Sequence, residues 1–156
     1  IELTLHVGLG TFLPVKTQKI EEHVMHKEWF TLTPEVAHQL NAWKLEGRRI
    51  IAVGTTTTRV LESCAEWNET HNAYMLKPQT GETQKYIYPP YQFRFVDAMI
   101  TNFHLPKSTL LMLISAFCTQ QQTFTTFKNS LVGKAYKEAI QNNYRFFSFG
   151  DAMLIE

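Results

Sequence analysis

The segment Thr101-Asn102-Phe103-His104-Leu105-Pro106-Lys107-Ser108 crowds hydroxyl, amide, imidazole and ammonium groups into the place where an extended run gives way to an apolar helical one. A histidine exchanges protons near neutral pH, and open α/β sheets hold their ligands beyond the carboxyl ends of their strands. His104 and Asn102 are therefore candidates for proton transfer, with Thr101, Lys107 and Ser108 as candidates for holding a substrate. A capped helix start with a partly buried histidine accounts for the same pattern.

Gly54-Thr55-Thr56-Thr57-Thr58, followed by Arg59, stands between an apolar strand and a helix. Backbone amides at a helix start, together with several hydroxyls, can bind an anion or a substrate carboxylate, and an arginine can fork onto the same group. The lysine of a nucleoside-triphosphate loop is absent, and an ordinary polar turn capped by threonine explains the residues equally well. His23, His26 and Glu28 are metal-ligand types, but a site needs three such groups to converge. On a strand His23 points away from the other two, so no metal site is read, and His26 and Glu28 remain as a pair for hydrogen bonding or proton transfer. Gly8-x-Gly10 follows a strand as a dinucleotide loop would, yet Leu13 occupies the third glycine position and Pro14 follows, which favours a structural turn. Tyr144-Arg145-Phe146-Phe147-Ser148-Phe149-Gly150-Asp151 combines rings that can stack on a base with an arginine that can hold phosphate. Core packing with Arg145 paired to an acid is the alternative.

The elements that must position these groups follow from hydrophobic spacing. Ile1, Leu3, Leu5 and Val7 alternate with polar residues as a half-buried strand, and Val24–Leu32 reads as a second, with Val24, His26, Glu28, Phe30 and Leu32 on one face. Thr33-Pro34-Glu35 opens a helix that runs to about Glu46, with Val36, Leu40 and Trp43 on one stripe and Gly47 as its stop. The apolar strand Arg49–Val53 enters the Gly54 turn and a helix carrying Val60, Leu61, Cys64 and Trp67, a strand-turn-helix crossover unit. Asn68–Gln84 reads as a long polar loop. Gln92–Thr101 reads as a strand, Leu105–Ser108 begins an apolar helix through Phe117, and a further helix over Phe127–Gln141 buries Leu131, Ala135 and Ala139. The chain ends in an extended segment, Ala152–Ile155. Helices alternating with strands predict one α/β domain over residues 1–156, a layered sandwich with a largely parallel sheet and helices on its faces.

Composition agrees with a folded, water-soluble domain: 156 residues are 44% hydrophobic and 19% charged. No run reaches the ~18 apolar residues that a membrane-spanning helix needs. The chain opens at Ile1 on a strand already under way, which leads us to expect a piece of a longer protein. Fifteen basic against fourteen acidic residues give +1, too little to argue for nucleic acid. The balance is uneven, since residues 101–156 hold five basic and three acidic groups while residues 1–100 hold 10 and 11. Cys64 and Cys118 lie in apolar helical patterns without paired spacing, as buried free thiols do.

Five segments together carry a resemblance. Thr4-Leu5-His6-Val7-Gly8-Leu9-Gly10-Thr11-Phe12, Met25-His26-Lys27-Glu28, Gly54-Thr55-Thr56 with Arg59 and Leu61-Glu62-Ser63, Asp97-Ala98 through Thr101–Pro106 to Ser108-Thr109-Leu110, and Tyr144–Ser148 with Gly150–Met153 resemble, in order, the S-adenosylmethionine:tRNA ribosyltransferase-isomerases of queuosine biosynthesis. Thr58 departs from the apolar residue common there. The resemblance implies the C-terminal portion of a two-domain, cytoplasmic, monomeric enzyme, without the family's N-terminal half and inserted β-barrel domain. It implies transfer and isomerisation of the ribosyl moiety of S-adenosylmethionine onto 7-aminomethyl-7-deazaguanine in a tRNA anticodon, releasing adenine and methionine and giving epoxyqueuosine. S-adenosylmethionine is then a consumed substrate, and no cofactor or metal is called for. The roles implied are proton transfer by His104 with Asn102, or by His26 and Glu28. Gly54, Thr55, Thr56 and Arg59 would hold the methionine carboxylate or a tRNA phosphate, and Tyr144, Arg145 and Asp151 would line the pocket. An S-adenosylmethionine-dependent methyltransferase and a non-catalytic tRNA-binding module are the rival readings. The first lacks its glycine-rich loop at Leu13-Pro14. The isolated piece is expected to be inactive.

Overall fold

Thr33 and Pro34 start the first helix as their types require: the Thr33 hydroxyl accepts the Val36 amide at 3.4 Å, proline occupies the first turn, and α1 runs Pro34–Leu45. Its end is set by Gly47, whose φ of +77° is open to glycine at little cost. These and the following features are those of a computed structural model, which describes residues 1–12, 14–119 and 126–156. Leu13, at the third glycine position of the Gly8-x-Gly10 pattern, lies outside the described residues.

The strands are β1 (Thr4–His6), β2 (Glu28–Leu32), β3 (Ile51–Val53), β4 (Ala65–Asn68), β5 (Ala73–Leu76), β6 (Gln79–Thr83), β7 (Ala98–Asn102) and β8 (Ala152–Ile155). The remaining helices are α2 (Thr55–Cys64), α3 (Thr109–Phe117) and α4 (Leu131–Gln141). They form a mixed α/β fold, and the expectation of a largely parallel sheet is corrected. Three small sheets order as β1-β2-β6, β3-β7-β8 and β4-β5, and among the described residues only β3 and β7 run parallel. The long connection from β3 to β7, which carries α2 and three further strands, permits that one parallel pair. The others are joined by tight turns or by returning chain, which permit antiparallel pairing.

The second strand begins at Glu28, so Val24 and His26 are exposed while Glu28, Phe30 and Leu32 are buried. The Asn68–Gln84 segment holds β5 and β6 instead of a loop. Asn41 on α1 supplies the reason for part of this, since its side-chain amide accepts the Leu76 N–H at 2.7 Å and donates to the Leu76 carbonyl at 2.9 Å, replacing a neighbouring strand. Trp67 belongs to β4, not to the helix before it. The Gln92–Thr101 strand shortens to β7. Helix α4 begins after a 3-10 turn at Phe127–Asn129 and buries Val132, Gly133, Tyr136 and Ala139, leaving Leu131 and Ala135 exposed.

One core gathers Phe30, Leu32, Leu40, Val60, Met99 and Leu113 between α1, α2, α3 and the sheets. A second, around Phe103, Ile114, Val132 and Tyr136, seats α4. Fully buried Glu62 on α2 organises the approach to β7. Its carboxylate accepts the backbone amides of Arg94, Phe95 and Val96 at 2.9–3.0 Å and the Tyr91 hydroxyl at 3.1 Å. No helix among the described residues is long and apolar enough to cross a membrane.

Candidate functional site

Parallel pairing of β3 and β7 brings the residues after each strand to the same edge, and a cleft of about 300 Å³ opens there. Gly54, Thr55, Thr56 and Thr57 form one wall, and Thr101, Asn102, His104 and Ser108 form another. The structure thus brings together seven of the candidate residues, Gly54, Thr55, Thr56, Thr101, Asn102, His104 and Ser108, with Thr57 beside them. At about 300 Å³ the cleft falls at the small end of the range for small-molecule sites.

Gly54 makes the first wall possible. Its φ of +95° and ψ of 146° turn the chain from β3 into α2, in a region that side-chain-bearing residues rarely enter. Helices α1, α3 and α4 are capped by the side chains of Thr33, Ser108 and Ser130, whereas α2 has glycine at its cap and no side-chain cap bond. The first-turn amides of α2 therefore face the cleft with the positive end of the helix dipole behind them. Thr58 is turned inward, its hydroxyl donating to the Gly54 carbonyl at 3.1 Å.

His104 occupies the opposite wall. Its Nε2 lies 3.0 Å from the Thr101 hydroxyl, and its backbone N–H donates to the Tyr136 hydroxyl at 2.8 Å. Burial pushes the imidazole pKa down to about 4, so the ring is neutral at pH 7 and able to accept a proton. Burial likewise raises the Tyr136 hydroxyl to about 12, which keeps it protonated. Asn102 donates through its amide to the Gly150 and Asp151 carbonyls at 3.4 and 3.3 Å, tying β7 to the segment before β8. Ser108 is occupied as the α3 cap, accepting the Leu111 amide at 3.1 Å and donating to the Leu105 carbonyl at 2.7 Å.

Other candidates take different places. Glu28 and Arg59 are both buried and form an ion pair of 2.9 Å. Glu28 also accepts the hydroxyl of Thr11, and Thr11 lines the cleft. Arg59 is therefore a partner of Glu28 beneath the cleft instead of an arm over the Gly54 turn. Burial presses its guanidinium pKa down, against the opposing charge of Glu28. His26 is exposed and does not share a face with Glu28; its ring packs over Gly10, where any Cβ would collide with it. Arg145 and Asp151 pair with each other, the guanidinium 2.9 Å from Oδ1 and the Arg145 amide donating to Oδ2 at 2.7 Å. With Tyr144, whose ring meets Phe103 edge-on, they shape the loop that carries Phe147 and Ser148 into the cleft. Lys107 lies on the other side of His104, along a second cavity. Thr11, Phe147 and Ser148 are thus lining residues that sequence reasoning did not single out individually, although each stands inside a segment it quoted. No cluster of three or more metal-ligating side chains occurs among the described residues.

Residues 1–155 match the model of a family described as a queuosine biosynthesis protein. The S-adenosylmethionine:tRNA ribosyltransferase-isomerases of Halothermothrix orenii and Natranaerobius thermophilus are 52% and 53% identical over 155 residues, covering 99% of this chain and 41% of each relative. A crystal structure of the S-adenosylmethionine tRNA ribosyltransferase from Thermotoga maritima is similar with a TM-score of 0.68 at 45% identity, over 83% of this chain and 40% of that one. The chain spans about two-fifths of the length of the curated relatives it matches.

Proposed function

We propose that this chain, which belongs to the queuosine biosynthesis protein family, is a single α/β domain forming the C-terminal portion of an S-adenosylmethionine:tRNA ribosyltransferase-isomerase. The complete enzyme would move the ribosyl moiety of S-adenosylmethionine to 7-aminomethyl-7-deazaguanine in a tRNA anticodon, with release of adenine and methionine and formation of epoxyqueuosine. It would work as a cytoplasmic monomer, consume S-adenosylmethionine as a substrate and carry no resident cofactor. The observation that carries this reading is the cleft in which His104 faces the uncapped start of α2, in a chain about half identical to relatives bearing that name.

The chemistry asks for a base at a carbon acidified by the neighbouring sulfonium, an acid for departing adenine, and shelter from water. A neutral His104 is in the form that accepts a proton, and its low proton affinity makes the resulting imidazolium a ready donor toward adenine. Thr101 orients the ring through Nε2. The amides of Thr55, Thr56 and Thr57 suit the methionine carboxylate. Glu28, held between Thr11 and Arg59, fixes the cleft floor instead of transferring protons.

The deciding experiment follows products from full-length protein with S-adenosylmethionine and substrate tRNA. Adenine and methionine in equal amounts support the reading, S-adenosylhomocysteine would make the protein a methyltransferase, and tRNA binding without adenine release would leave only a binding module. The present chain alone is expected to release no adenine.

A further inference from the structure

A second cavity, about 990 Å³ in volume, runs between α3 and α4 on the far side of His104 and Ser108, which line both it and the smaller cleft. Its floor is apolar, with Leu111, Met112, Tyr136 and Phe146, and at its edge Phe127 and Ile140 leave 36% and 64% of their surface exposed. Four lysines, Lys107, Lys128, Lys134 and Lys137, stand along it, all exposed. No acidic side chain is among the described residues that line the groove. None of the four lysines has a carboxylate partner among the described residues, whereas Lys19, Lys27, Lys44 and Lys77 each have one. Four of the five basic residues after position 100 are therefore gathered on one groove, which is where the uneven charge of the sequence resides.

Like charges gathered without acidic neighbours beside exposed rings fit a ligand with a charged backbone and flat apolar units. Single-stranded RNA has that character: phosphates for lysines, and splayed bases for aromatic and aliphatic surface. We propose that this groove is where an unpaired RNA loop lies, its phosphates along Lys107, Lys128, Lys134 and Lys137 and its bases against Phe127 and the apolar floor. The shared wall at His104 and Ser108 then lets one base of the loop turn into the smaller cleft. This inference rests on the reading that the full-length protein modifies tRNA.

The test uses full-length protein carrying K128E, K134E and K137E together, with fluorescence anisotropy of a labelled anticodon stem-loop over a range of salt. The unaltered protein is expected to bind with a salt dependence that weakens in the variant by about 0.7 of a slope unit for each phosphate contact removed, and affinity at low salt is expected to fall roughly tenfold or more. A K128Q, K134Q, K137Q variant with intermediate loss shows that charge, not damage to α4, is responsible, and unchanged thermal midpoints check folding. Equal RNA affinity and slope in all three proteins would overturn the proposal. So would a concentration-dependent dimer that the reversal abolishes while RNA binding persists, because the groove would then join two copies. If unaltered protein releases adenine with tRNA while the lysine variants bind RNA normally, the groove assignment fails and the activity stands. If unaltered protein neither binds RNA nor releases adenine, both fail.

Discussion

Arg59 Nη1 lies 2.9 Å from Glu28 Oε2, with the two side chains 2% and 1% exposed. Apart from this ion pair, the guanidinium nitrogens find no acceptor among the described residues, so most of the compensation for burying the cation comes from one carboxylate. Removing either partner strands the other. Glu28→Leu and Arg59→Met are each expected to lower stability by about 3–5 kcal/mol, and the double replacement Glu28→Leu/Arg59→Met to recover much of the loss. Urea unfolding of the four proteins measures this. Additive losses in the double variant would show that the two charges are not coupled.

The imidazole of His104 is held at about 4 by burial, below its ordinary 6.5. The unfolded chain therefore takes up a proton before the folded one does as the solution is acidified. The stability tied to this group is complete above about pH 6.5 and is lost progressively as pH falls toward 4, by roughly 1–3 kcal/mol. Subtracting the pH–stability curve of His104→Gln from that of the unaltered protein isolates the contribution. A flat difference between pH 7 and 4 would mean that the ring titrates normally. In the full-length enzyme His104→Ala is expected to lower kcat by about 100-fold or more, with RNA affinity preserved.

Glu62 gathers three consecutive backbone amides and one hydroxyl on a single carboxylate. Glu62→Gln places an amide group where only acceptors fit, and a loss of roughly 2–4 kcal/mol is expected. The loosened 91–96 segment feeds β7, so Asn102 and His104 should also lose their fixed positions. Faster amide hydrogen exchange at Arg94, Phe95 and Val96 is the direct readout, and unchanged protection there would dismiss this role.

The capped start of α1, the βα turn at Gly54 and the Ser108 junction were legible because each rests on local chemistry, a hydroxyl or glycine at a position whose neighbours leave little choice. That the Gly54 turn and the Ser108 junction meet in one cleft follows only from the parallel pairing of β3 and β7, which puts both strand ends on one edge. What escaped reading depends on distant partners. Gln79–Thr83 is polar and becomes a strand only because β2 pairs with it, and Ala73–Leu76 is held by Asn41 from another helix. The sheet was expected to be parallel because helices alternate with strands along the chain, and short alternating segments carry no strand direction that would have corrected it. In the sequence Arg59 reads as an arm over the Gly54 turn and Glu62 carries no role, because only tertiary packing turns both inward onto partners far along the chain. The stripe of α4 was misplaced because Val132, Tyr136 and Ala139 share a helical face one residue on from Leu131 and Ala135, and packing against Phe103 and Ile114 selects that face.

Gly54 offers the sharpest test of the cleft. A Cβ there would meet only the Thr57 hydroxyl, at 3.8 Å, so space is not the obstacle. The obstacle is a φ of +95° with ψ of 146°, which a residue with a side chain occupies at a cost of about 1–3 kcal/mol. Gly54→Ala is expected to relieve that cost by rotating the peptide that leads into Thr55, turning the first amides of α2 away from the cleft. Stability should fall modestly, while the KM for S-adenosylmethionine in the full-length enzyme should rise about tenfold, the equivalent of one to two hydrogen bonds. Thr58→Val, which removes the hydroxyl bonded to the Gly54 carbonyl behind the turn, should cost stability with little change in KM. If Gly54→Ala lowers stability as expected but leaves KM untouched, the α2 amides do not hold the substrate, and the carboxylate must be bound elsewhere.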